Sequence, residues 1–170
     1  TVQAQPSDPD QQCDIINGNG FISGSNLTID VVCNVVNYPL AINVSGLAQS
    51  NFVDVLNNGM DFLRITSNGL SFFNQSFPDF SDYAIAFLLQ PSSPNQTCTF
   101  DISNMGMING PENIVLLTCV TNSYFIGGFV SGLHQNNGLI VTINETEDEI
   151  ITNNGAYVFN TPLLDESTYS

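Results

Sequence analysis

The residues of this 170-residue chain that could do chemistry are one histidine, four cysteines and two runs of carboxylates. His134 is the only imidazole, so any Ser-His-Asp triad must run through it. Its surroundings, Gly132-Leu-His-Gln-Asn-Asn-Gly138, form no nucleophile elbow and read as a turn-flanking surface segment. A Cys–His pair needs one cysteine outside a disulfide, which the even cysteine count disfavours. Paired carboxylates could serve a glycosidase, but such sites usually carry aromatic platforms, often Trp, and the chain has no Trp. Asp8, Asp10 and Asp14 could offer oxygens to Ca²⁺, as could Glu145, Glu147, Asp148 and Glu149. Neither run follows the twelve-residue EF-hand spacing, and they read as a solvated linker and a solvated loop. The expectation is a non-enzyme with no metal and no cofactor.

Covalent structure is the more informative chemistry. Cys13, Cys33, Cys98 and Cys119 contain no C-x-x-C pair, which leaves a zinc site poorly supported. Of three possible connectivities, Cys13–Cys33 and Cys98–Cys119 are preferred, because each closes a short loop between neighbouring strand candidates. Each bridge would contribute roughly 3 kcal/mol in the chain-entropy model. Five N-x-S/T sequons stand at Asn26, Asn43, Asn74, Asn95 and Asn144, none with Pro in the middle. Asn74, Asn95 and Asn144 lie in polar or turn-like stretches. Asn26 and Asn43 sit where a strand begins or alternates. Disulfides and N-linked glycans together point to an oxidising, extracellular setting. The opening Thr-Val-Gln-Ala-Gln reads as a processed chain whose signal peptide has been removed.

Charge excludes several partners. The chain has one basic residue, Arg64, against 16 carboxylates, for a formal net charge of −15. A nucleic-acid binder needs a Lys/Arg footprint, and none exists. Attraction to an anionic membrane surface fails for the same reason. The longest apolar run, Tyr83 to Leu89, is far short of the ~18–20 residues that span a bilayer, so direct membrane insertion is not expected. Polarity comes from amides and hydroxyls instead, and such a surface stays polar where carboxylates protonate, near pH 4. An acidic habitat fits that composition.

The elements that position these residues read as strands. Alternation and β-branched or aromatic content predict strands at 13–16, 27–36, 40–44, 51–56, 61–66, 70–77, 83–89, 97–103, 113–120, 124–130, 138–144 and 156–160. Asn-Gly pairs at 58–59, 68–69 and 154–155, among others, supply the positive φ of tight hairpin turns. No stretch of 12 residues holds a convincing 3.6-residue period; residues 45–58 are the best helical candidate, and Asn57-Asn-Gly would end it. No internal repeat is found at a period of 20–50 residues. The chain is expected to be all-β, with residues 13–170 forming a sandwich head domain and residues 1–12 a tail and linker.

The tail has a physical use. Thr1, Val2, Gln3, Ala4, Gln5 and Pro6 alternate at period two, with Val2 and Ala4 on one side, and Ser7–Gln12 extends away through Pro9. Such a segment can complete an open sheet of another chain by strand addition. A strand-like tail, an all-β body, five sequons, two expected disulfides and almost no Lys or Arg resemble the archaeal thread pilins, surface filament subunits of thermoacidophilic archaea. The resemblance implies an immunoglobulin-like, type I pilin-like β-sandwich with an extended N-terminal donor strand. It implies glycosylation at the five sequons and a homopolymer in which each subunit inserts its tail, here Thr1–Pro6, into the groove of the next. Adhesion or biofilm formation would be the role. The Asn-rich composition departs from the Lys/Glu ion-pair pattern of hyperthermophile proteins. A monomeric secreted, glycosylated sandwich that binds carbohydrate or a surface layer fits the same composition, and the two differ in native mass.

Overall fold

The computed structural model describes residues 1–170 and contains no helix. Sixteen strands follow in chain order. They are β1 (Gln11–Ile16), β2 (Asp30–Val35), β3 (Asn37–Ser45), β4 (Val53–Asn57), β5 (Asp61–Ile65), β6 (Gly69–Pro78), β7 (Asp82–Leu89) and β8 (Gln96–Phe100). They continue as β9 (Met105–Met107), β10 (Asn113–Thr121), β11 (Ser123–Tyr124), β12 (Gly127–Val130), β13 (Leu139–Ile143), β14 (Glu147–Ile151), β15 (Gly155–Val158) and β16 (Leu163–Leu164).

Two four-stranded sheets, β6-β3-β10-β8 and β5-β4-β7-β9, enclose one core. Alternation along each strand sends one set of side chains inward. Leu40, Ile42 and Val44 of β3 and Val115 and Leu117 of β10 meet Val53 and Val55 of β4 and Ile85 of β7. Strand β10 runs parallel to β3, from Asn113 opposite Leu40 to Thr118 opposite Ser45. The β4–β5 connection is the tight turn that its Asn-Gly predicts, with φ of 50° at Asn58 and 73° at Gly59, closed by Met60 N–H donating to Asn57 O at 3.1 Å. Outside this body stand four two-stranded sheets, β1-β2 at the N-terminal side and β11-β16, β12-β15 and β13-β14 at the C-terminal side.

Both preferred disulfides form, Cys13–Cys33 and Cys98–Cys119. Each joins directly opposite residues of an antiparallel pair, β1-β2 and β8-β10. The strand expected at 51–56 forms as β4, with Val53, Val55 and Asn57 buried between β5 and β7, and the weak helical candidate over 45–58 is not taken up. Tertiary pairing of β-branched residues overrides the weak local helical period. The acidic run expected as a loop is strand β14, hairpinned to β13.

Arg64 finds its partner across the β4–β5 pair. Its guanidinium donates to both carboxylate oxygens of Asp54, at 2.8 and 2.7 Å, and stacks 4.2 Å above the Phe52 ring. The hydrogen bonds to Asp54 raise the guanidinium pKa further above its already high value. Asp54 is buried, so removing only the cation strands a carboxylate. Arg64→Ala is therefore expected to lower the thermal midpoint more than the double change Arg64→Ala/Asp54→Asn. A circular-dichroism melt showing the double variant equal to or below the single one would contradict this.

Candidate assembly surfaces

The tail begins exposed and outside any strand, from Thr1 to Pro6. Gln5 fixes its end: the side-chain amide donates to Cys13 O at 3.1 Å and accepts from Cys13 N at 2.8 Å. The β1-β2 hairpin that follows is an arm. Its base is held at Asp10, whose N–H donates to Asp79 Oδ2 at 2.8 Å and whose carboxylate accepts from the Tyr38 hydroxyl at 2.5 Å. That hydrogen bond pushes the Tyr38 pKa up to about 12. Backbone N–H groups of Asp10 and Gly110 hold the Asp79 carboxyl below the usual carboxylate range. Beyond its base the arm leaves apolar side chains in solvent, among them Phe21, Ile22, Leu27, Ile29 and Val31. Such a cluster on one element marks a contact surface.

The C-terminal strands are the second unpartnered region. Strand β12 pairs only with β15, and β13 only with β14, whereas β3 and β4 in the body each have a strand on both sides. Glu147 Oε1 accepts from Asn160 N at 2.5 Å and Oε2 from Thr161 N at 3.1 Å, bonds that hold its pKa low.

Each of these two regions repeats a part of the body, because the chain contains an internal duplication. Gln5-Pro-Ser-Asp-Pro-Asp-Gln-Gln-Cys13 recurs as Gln90-Pro-Ser-Ser-Pro-Asn-Gln-Thr-Cys98. After one inserted residue the match continues with Cys33 on Cys119, Val44-Ser-Gly-Leu47 on Val130-Ser-Gly-Leu133, and Asn68-Gly69 on Asn154-Gly155. It ends with Asp79, Ser81 and Tyr83 on Asp165, Ser167 and Tyr169. The backbone repeats too: left-handed residues pair as Gly24 with Gly110, Gly46 with Gly132, Ser50 with Asn136, Asn58 with Asn144, and Phe80 with Glu166. So do side-chain bonds. Gln90 clamps Cys98 at the same 3.1 and 2.8 Å as Gln5 clamps Cys13. Asn68 clamps Leu47 as Asn154 clamps Leu133. The unit is near half the chain in length, longer than the 20–50-residue repeats of solenoids and propellers, and its clearest sequence mark is the nine-residue Gln-to-Cys match.

The body sandwich is built across the two copies. Strands β3 to β6 and the first half of β7 come from the first copy; the rest of β7, β8, β9 and β10 come from the second. The arm is the first copy's version of β8 and β10, and β11 to β16 are the second copy's version of β3 to β6.

Of the five sequons, Asn26, Asn43, Asn74 and Asn95 are exposed, and Asn144 is half-buried in the β13–β14 turn. The Asn144 side chain accepts a hydrogen bond from Ser170 N at 2.9 Å. His134 is exposed in a turn, its Nδ1 3.3 Å from Gln135 O, and meets no carboxylate or hydroxyl partner. No three His, Cys, Asp or Glu side chains converge as metal ligands. Of the carboxylates singled out in sequence, Asp10, Glu147 and Asp148 accept hydrogen bonds from hydroxyl or backbone N–H groups, as Asp148 does from Thr142. Compared with known proteins, the chain matches no family model, no curated protein and no solved structure.

Proposed function

We propose that this chain is the structural subunit of an extracellular filament, a glycosylated pilin that polymerises head to tail by lending an N-terminal strand to a neighbouring copy. The observation that carries the reading is the unpartnered N-terminal region, whose tail and arm present apolar side chains to solvent in the single chain. A domain of this length buries such surface unless a partner does so. The donor is the segment Thr1–Pro6, with Val2 and Ala4 as its apolar face, and the head is an immunoglobulin-like sandwich similar to that of type I pilins. Main-chain pairing supplies register, and side chains supply specificity. The two disulfides suit an oxidising exterior. The exposed sequons suit a glycan coat, and surface adhesion follows as the filament's role. Its partners are copies of itself, with no nucleic acid and no cofactor.

Electron microscopy of purified chain is expected to show filaments. Deleting residues 1–7 should leave folded particles that form none. Long filaments from that deletion variant would overturn tail donation. A wild-type chain of discrete monomer mass at all concentrations would instead favour a secreted binding module. Peptide mass mapping of native material is expected to find glycan on Asn26, Asn43, Asn74 and Asn95, with lower occupancy at half-buried Asn144.

A further inference from the structure

We infer that the C-terminal half, from Asn122 to Ser170, is the acceptor for the tail and arm, residues 1–35, of a second copy of this chain. The donated element is thus a three-stranded block that completes a second sandwich. The inference rests on the head-to-tail assembly proposed above and names its joint. The body sandwich is the template, because it already contains the same contact made once within the chain.

The strongest observation is a reversal of burial at matching positions. Ile108, Val115 and Leu117 are 0%, 2% and 1% exposed in the body core. Their counterparts in the arm, Ile22, Ile29 and Val31, are 87%, 56% and 57% exposed. Residue type is retained and the covering surface is missing. The acceptor shows the complementary vacancies. A Cβ on Gly46 would lie 2.1 Å from Cys119 O, because β10 runs against it, whereas at the matching Gly132 nothing lies within 4 Å. Gly106 sits under the Tyr83 ring, with the hydroxyl 2.7 Å from a built Cβ. Its counterpart Gly20 faces open space, and Tyr169, which matches Tyr83, is 68% exposed. Both sheets of the acceptor have an open edge, and the block supplies a strand to each. By the template register, β2 lies parallel to β12, with Ile29 opposite Gly128 and Val31 opposite Val130. The tail replaces the second half of β7 and lies antiparallel to β13, with Val2 opposite Val141.

A second copy is the occupant because of where the two regions leave the body. The arm enters at the Asn37 end of β3, and the C-terminal half departs after Thr121, at the end of the parallel β10 that lies beside Ser45. Those are opposite ends of a nine-residue strand, about 30 Å apart at ~3.3 Å per residue. A joint between opposite ends is heterologous and propagates as an open filament. Asn26 stays clear of it: its counterpart Glu112 is exposed in the completed sandwich, so a glycan there projects outward.

Complementary variants test the joint at pH 7. Ile29→Asp/Val31→Asp disables the arm and keeps the acceptor; Val130→Asp disables the acceptor and keeps the arm. Each alone is expected to lose filament mass at least ~100-fold, since a carboxylate would be buried unpaired. An equimolar mixture is expected to give dimers and nothing larger. Val2→Cys/Val141→Cys, at an exposed and a half-buried position, should give an oxidised covalent ladder, and Val2→Cys/Ile150→Cys none. Wild-type filaments with arm variants that polymerise normally would overturn this joint and leave the filament reading standing. A wild type that stays monomeric would overturn both. A Val2–Val141 bridge confined to single chains would mean that the chain's own tail fills the site, which also overturns the joint.

Discussion

Leu117→Ala is expected to destabilise the chain by about 2–5 kcal/mol, while Val31→Ala, at the matching place one copy earlier, costs the unassembled chain less than about 1 kcal/mol. Leu117 is 1% exposed and packed between the two body sheets; Val31 is 57% exposed on the arm. Truncation in the core loses transfer free energy and leaves a cavity. Truncation on the arm changes only strand propensity on an open surface. Urea denaturation of monomeric protein, followed by near-ultraviolet dichroism, reads the difference as a shift in midpoint at constant slope. In assembled material the contrast should shrink, because Val31 is then covered. Equal costs at both positions in the monomer would mean that the arm is already packed there, and the unpartnered surface would be lost as an argument.

How much of this was readable in the sequence follows from what each feature depends on. Asn58-Gly59 fixed a turn because positive φ is a local property of those residues. The disulfides were readable because short separations between strand candidates leave little choice of partner. Arg64 was different. Its partner Asp54 lies ten residues away across a hairpin, and only the β4–β5 register brings them opposite. Strand β14 was hidden because Glu147-Asp-Glu149 carries no apolar alternation; its pairing comes from the Asn144 turn and β13. Residues 45–58 looked helical because their local spacing permits it, and the sheet that overrides it is assembled from distant strands. Ile22 and Ile108 mark the limit of single-residue reading. They have the same type and the same glycine two places on, yet opposite exposure, because burial depends on which strands precede each copy. The tail has a counterpart in the body, since residues 1–4 match Ala86-Phe-Leu-Leu89, the second half of a central strand.

Filaments of this chain are expected to be more resistant to dissociation near pH 4 than at pH 7, and to persist at pH 3. At pH 7 every subunit carries a formal charge of −15, relieved by one ion pair, Arg64–Asp54. Repulsion between neighbours opposes assembly, and added salt should weaken it at pH 7. The pI is about 4.1, so the charge nearly vanishes there and the salt effect with it. The sheet pairing and apolar contacts of the joint do not titrate. Two carboxylates do contribute to the fold, Asp79 and Glu147, and both have folded pKa values lowered by backbone hydrogen bonds. A lowered pKa gives stability that is full above the unfolded value, about 4, and lost progressively as pH falls from there through the lower folded value. Acid therefore removes repulsion first and these anchors later. Tyr38 runs the other way at the alkaline end. Its raised pKa keeps the hydroxyl bond to Asp10 intact up to about pH 10, and the bond is lost as pH rises toward about 12. Filament mass by sedimentation across pH 3–8, at low and high salt, measures the first effect. Filaments that hold at pH 7 and dissociate at pH 3 would show that ionised carboxylates, rather than backbone pairing and buried apolar side chains, hold the subunits together.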